Sequence, residues 1–182
     1  MSKQQFLNIM EDQPKTSKIG LNYGIILGVV LILIQVIMYV TGMFFEGKQW
    51  PMYVYYLIFP VTIILGIKAY KANNGGFLTL GQALKVGISI AAISGLLFAI
   101  YNAIFNLVID PGFAEQMLDI TREKLAENPN MTEEQIEMSI DWARKLGGPV
   151  IGGAFFIVMS VFFGFIYSLI GGLIMQKKQD LY

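Results

Sequence analysis

Few side chains in this sequence could do chemistry, and the most ordered of them form a polar stripe at Asn102, Asn106 and Asp110. Four-residue spacing puts the three on one helical face at the end of an apolar run. Such a stripe can line a shallow water-filled way in for a solute. Its amides can equally bond between helices, for about 1 kcal/mol each, and that is the reading we favour. Gln35, near the middle of an earlier apolar run, is a further polar group of this kind. Acidic rows stand at Glu115, Asp119, Glu123 and Glu127, and again at Glu133, Glu137 and Asp141. Hard cations want several carboxylate oxygens, but Arg122, Lys124, Arg144 and Lys145 lie close enough to offset the repulsion. A solvated face is the plainer reading, so no metal site is assigned.

The composition removes most other chemistry. The chain has no Cys and no His, so thiolate nucleophiles, disulfides and the commonest general base and metal ligand are absent. No catalytic residues converge, and neither an enzymatic role nor a cofactor is expected. No Asp, Glu, Lys or Arg lies deep in an apolar run, which takes support from ion-coupled transport, where such a group usually carries the coupling ion. The 13 basic and 13 acidic residues cancel, so nothing draws the chain to nucleic acid.

These residues must be positioned by membrane helices. Of the 182 residues 55% are hydrophobic, and the mean hydropathy is +0.58. Uncharged runs at 19–45, 49–67, 86–109 and 149–175 are each long enough for a helix to cross a hydrocarbon core of about 30 Å. The predicted organisation is a cytoplasmic N-terminal segment at 1–18, with a short amphipathic patch at Phe6, Leu7, Ile9 and Met10, then transmembrane helices 1 to 3 within 19–109. An extracytoplasmic helical hairpin at 110–148, a fourth transmembrane helix at 149–175 and a cytoplasmic tail at 176–182 follow. Pro60 predicts a kink in the second span. Lys3, Lys15, Lys18, Lys68, Lys71, Lys85, Lys177 and Lys178 fall on one side of this topology. Basic residues are retained inside, so both termini are expected in the cytoplasm.

Helices in lipid associate by close backbone approach, which makes small residues informative. The first span has Gly20, Gly24 and Gly28; the third has Gly87, Ala91, Gly95, Ala99 and Ala103; the fourth has Ser160, Gly164, Ser168 and Gly172. We read these faces as packing within the chain, with the third helix central; pore lining and dimerisation are the alternatives. The third helix starts inside the stretch GGFLTLGQALKVG, residues 75–87. There Gly75 and Gly76 permit a turn, Thr79 and Gln82 form a capping box, and Gly81 lies between them. A second capping box, Thr132 with Gln135, starts the second helix of the hairpin.

That stretch, a third span ending in Asp110, Pro111 and Gly112, and the later segment MTEEQIEMS together resemble the bacterial membrane family called domain of unknown function 4199. The resemblance covers about residues 16–178. It implies a four-helix integral protein of the bacterial inner membrane with no established activity. The expectation is therefore an all-α integral membrane protein, non-enzymatic, acting through helix packing or contact with a second copy or another membrane protein in the lipid bilayer. The alternative is a small channel or solute facilitator formed by an oligomer.

Overall fold

A computed structural model describes residues 15–46 and 50–178, apart from the Met52 side chain. Six α-helices account for most of them: α1 (Thr16–Val40), α2 (Trp50–Asn73), α3 (Leu80–Ile104), α4 (Phe113–Ala126), α5 (Glu133–Gly147) and α6 (Pro149–Met175), with one π-helical turn at Phe105–Ile109 continuing α3. Four helices, α1, α2, α3 with its π turn, and α6, are long and apolar enough to cross a membrane. The 25 residues of α1 make about 38 Å of helix, ample for a core of about 30 Å. Large apolar side chains such as Leu33, Leu57, Val108, Phe155 and Ile174 face outward, while Gly24, Gly28, Gly87, Gly95 and Gly164 are buried. Water would not tolerate such an outer surface. The chain has the build of a helical membrane protein.

Two rows of close contact flank α3. On one side α1 lies alongside it in parallel: a Cβ added at Gly20 would sit 2.5 Å from the Ser89 Cβ, one at Gly24 2.8 Å from the Ile93 Cβ, and one at Gly28 3.0 Å from Leu97 Cδ1. On the other side α6 runs antiparallel, with Gly172 against Ala83, Gly87 against Ser168, Gly164 against Ala91 and Gly95 against Ser160. Each glycine lets the neighbouring backbone approach to a distance a side chain would forbid. The small-residue faces are thus consumed within the chain. The row does not reach Ala103, which is only half-buried; it closes at Ala99, where a Cβ on Gly153 would lie 3.4 Å from the Ala99 Cβ. α2 packs less extensively, its Phe59, Ile63, Ile67 and Tyr70 filling the core with Leu27, Val86 and Ile90.

One end of the bundle is stitched by hydrogen bonds. Gly76 N–H donates to the Lys71 carbonyl (2.9 Å), and Gly75 and Gly76 adopt φ of +63° and +84°, which terminates α2 in a left-handed cap that glycine adopts without strain. Thr79 and Gln82 then form both bonds of the capping box that starts α3. Leu78 exchanges two backbone hydrogen bonds of 2.9 Å with Lys177. Lys71 Nζ donates to the Met175 carbonyl (2.8 Å), a cation at the negative end of α6. Lys177 Nζ lies 5.5 Å from the centre of the Phe77 ring.

Some details depart from the sequence expectation. The amphipathic patch at Phe6 to Met10 and residues 47–49 lie outside the described residues, as does the end of the tail. α1 begins at Thr16, three residues before the uncharged run. α2 continues past Pro60, where the missing proline N–H leaves the Tyr56 carbonyl without its helical donor, the usual cause of a kink. The two capping boxes are both formed.

The division of labour among the glycines is testable. Gly87→Leu, which drives a side chain into Ser168 and Ile63, should lower the melting temperature in detergent far more than Gly75→Ala. The latter carries only the penalty of about 1–2 kcal/mol for a left-handed alanine. Equal melting temperatures would refute the assignment.

Candidate functional site

The contact rows do not extend along the whole bundle. On α1 the last glycine is Gly28, and the next inward-facing residues are Leu31, Ile34, Gln35 and Met38; on α3 the small row gives way to Phe98, Asn102 and Asn106. Larger side chains hold the helices apart there. The result is a cavity of about 760 Å³ at the end of the bundle opposite the hydrogen-bonded connector. Leu31, Phe98 and Phe156 line its deepest part, Pro51, Tyr55 and Tyr56 of α2 form one wall, and Phe113, Met117, Leu118, Ala143 and Arg144 of α4 and α5 cover it. Below Leu31 the core is closed by Leu27, Ile63, Ile90 and Ala91, each with no exposed surface.

Three amides, one ion pair and the Tyr55 and Tyr56 side chains supply the polar part of the lining. Gln35 is only 8% exposed, and its Oε1 accepts no hydrogen bond. A buried acceptor left so costs about 1–3 kcal/mol. Asn106 Nδ2 donates to the Asn102 carbonyl (2.9 Å) and to Asn102 Oδ1 (2.6 Å), which leaves the Asn102 amide N–H groups and Asn106 Oδ1 for another partner. At the mouth, Arg144 grips Glu115 with two parallel bonds of 3.0 and 3.2 Å.

The cover is fixed by aromatic and charged contacts. Phe105, the first residue of the π turn, packs edge-on against Tyr39 (4.9 Å) and Phe113 (5.2 Å), and Phe113 meets Phe44 at 5.2 Å. Tyr39 O–H donates to Asp110 Oδ2 (2.9 Å), and Gly112 N–H donates to Asp110 Oδ1 (3.1 Å). Asp110 therefore ties α1 to the start of α4. Between α4 and α5, Arg122 holds Glu137 by bonds of 2.9 and 3.3 Å and also reaches Asp119. The Arg144 hydrogen bond holds the Glu115 carboxyl below the ordinary carboxylate range, while Glu137 and Glu115 raise the Arg122 and Arg144 guanidinium groups above theirs.

The expected stripe is divided. Asn102 and Asn106 line the cavity and bond to each other within one helix rather than across helices, whereas Asp110 turns to Tyr39. The π turn is the cause: the Asp110 N–H reaches back five residues to the Phe105 carbonyl (2.8 Å), and the extra residue breaks the four-residue register. The helix-starting residues Gly75, Gly76, Thr79 and Gln82 are at the opposite end of the bundle, and Gly81 has open space around it. Among the described residues no group of three or more acidic side chains is placed to hold a metal ion; the acidic rows are instead partly engaged by Arg122 and Arg144. The aromatic cluster of Tyr39, Phe44, Phe105 and Phe113 had no periodic signature in the sequence, since its members come from four separate elements.

The depressed Glu115 sets a sign for pH dependence. The Glu115–Arg144 pair contributes above the carboxyl's unfolded pKa and is lost as pH falls through the lower folded value, so the bond between α4 and α5 should outlast ordinary carboxylates on acidification. Arg144→Gln should return the Glu115 titration, followed by carboxyl carbon resonances, to the ordinary range. Because both groups are well exposed, melting temperature near neutral pH should change little.

No curated protein and no solved structure matches the chain. Residues 22–177, which span all four apolar helices beyond the first turns of α1, the Asn-lined cavity and its cover, match the family described as Protein of unknown function (DUF4199), and the chain belongs to that family.

Proposed function

We propose that the protein is a non-enzymatic integral membrane protein that binds a small, largely apolar molecule in the cavity between its spans. The cavity itself carries this reading: its volume of about 760 Å³ falls in the range of roughly 300–1,000 Å³ usual for small-molecule sites, and its wall is mostly apolar and aromatic with a few polar groups, as in such sites. The absence of Cys and His from the chain supports binding over catalysis. Contact with partner proteins through the glycine and serine faces loses its support, because those faces are occupied by α1, α3 and α6 themselves. A partner or a second copy would have to meet the outer, lipid-facing side chains.

A facilitator is the second reading, favoured by the Asn102 and Asn106 amides in the lining. Passage would require the plug of Leu27, Ile63, Ile90 and Ala91 to open. The basic residues at the connector end, Lys68, Lys71, Lys85, Lys177 and Lys178, support a cytoplasmic position for that end by retention of positive charge. In this orientation α4 and α5 form a hairpin outside a bacterial inner membrane and cover the cavity from that side.

Both parts can be tested. The neutral fluorophore N-phenyl-1-naphthylamine should bind the purified protein saturably, and Ile34→Trp, which fills the cavity, should weaken it by about tenfold or more, as an overpacking cost of 1–3 kcal/mol implies. Non-saturable partitioning alone would sink the binding reading. Because the chain has no native Cys, single replacements report topology cleanly. Glu134→Cys should react with an impermeant maleimide on intact cells and Lys178→Cys only after lysis; the reverse result would invert the orientation.

A further inference from the structure

We propose that the molecule held in the cavity is a neutral lipid-like alcohol, of isoprenoid or fatty type, whose hydroxyl pairs with the Gln35 amide. This rests on the binding reading above and names the ligand class. Gln35 is more than nine-tenths buried, lines the cavity, and has an oxygen without a hydrogen-bond partner. The terminal amide torsion of glutamine is soft and roughly two-fold, so Gln35 can present either its oxygen or its N–H groups to the cavity. A ligand hydroxyl both donates and accepts, so it pairs with an amide whose oxygen the protein leaves without a partner, and a hydrocarbon of the same shape does not.

Charge narrows the class further. Among the described residues that line the cavity, the charged ones are Glu115 and Arg144, and they neutralise each other in a two-bond pair. The remaining polar lining is made of the neutral amides of Gln35, Asn102 and Asn106, with the Tyr55 and Tyr56 hydroxyls. An anionic head would have to take Arg144 from Glu115, and a cationic head would have to take Glu115 from Arg144. Neither gains a preformed partner, whereas a neutral hydroxyl does.

Three compounds of one carbon skeleton decide the matter by displacement of N-phenyl-1-naphthylamine from the full chain in nanodiscs: farnesol, the saturated hydrocarbon farnesane, and farnesoic acid. Farnesol should displace the fluorophore at concentrations about five- to tenfold lower than farnesane, the worth of one hydrogen bond. Gln35→Leu should abolish that advantage. Comparing the two proteins cancels differences in partitioning between alcohol and hydrocarbon. Gln35→Met, similar in length and without the amide, serves if Gln35→Leu does not purify. Equal displacement by farnesol and farnesane in the unaltered protein, strongest displacement by farnesoic acid, or an alcohol advantage that survives both Gln35 variants would overturn the proposal while leaving cavity binding intact. Failure of the fluorophore itself to bind saturably would overturn both.

Discussion

Close backbone contact along the two sides of α3 is the constraint on which the rest depends. Lipid offers no hydrophobic force to push helices together, so association relies on van der Waals contact and on what small residues permit. α3 meets α1 in parallel and α6 in antiparallel, and in both cases the register is a row of glycine, alanine and serine at four-residue intervals. The four-residue step keeps each row on one helical face, and having two rows makes α3 the axis of the bundle. α2, without such a row, fills the remaining side with Phe59, Ile63, Ile67 and Tyr70.

The cavity follows from where those rows stop. Leu31 and Phe98 stand where glycine and alanine stood one and two turns earlier, and the helices cannot close over them. The volume that results is partly covered because α4 and α5 lie across it, held by Phe113 among Tyr39, Phe44 and Phe105 and by the Tyr39–Asp110 hydrogen bond. Edge-on aromatic contacts of this kind contribute about 0.5–1.5 kcal/mol each beyond burial. The cavity is thus a by-product of helix packing that two further helices cover.

Much of the fold was legible in the sequence and rather less of the site. The apolar runs announced all four long helices because nothing but a helix satisfies its own backbone across a bilayer. The glycine rows identified α3 as central for a similar reason, and the capping boxes at Thr79 and Thr132 are local signals that need no tertiary context. Asn102 and Asn106 were readable as a polar pair, but their bond to each other and the separate fate of Asp110 depend on the π turn at Phe105, which spacing alone does not announce. Gln35 was visible only as an amide in an apolar run. That its oxygen lacks a partner is a property of its neighbours on other helices. The pairing of Arg144 with Glu115 across 29 positions is long-range in the same sense.

Lys71 to Met175 and Leu78 to Lys177 fasten the end of α2, the start of α3 and the end of α6 to one another, while the opposite ends of the same helices line the cavity. α3 and α6 stay in contact along that length: a Cβ on Gly153 would lie 3.4 Å from the Ala99 Cβ, and the Phe98 and Phe156 rings meet at 4.7 Å in the cavity wall. α2 has no such row, and about 24 Å of helix separates its fastening at Lys71 from Tyr55, whose ring lies 6.4 Å from that of Phe156. α2 is therefore held by hydrogen bonds at one end and by ring contacts at the other.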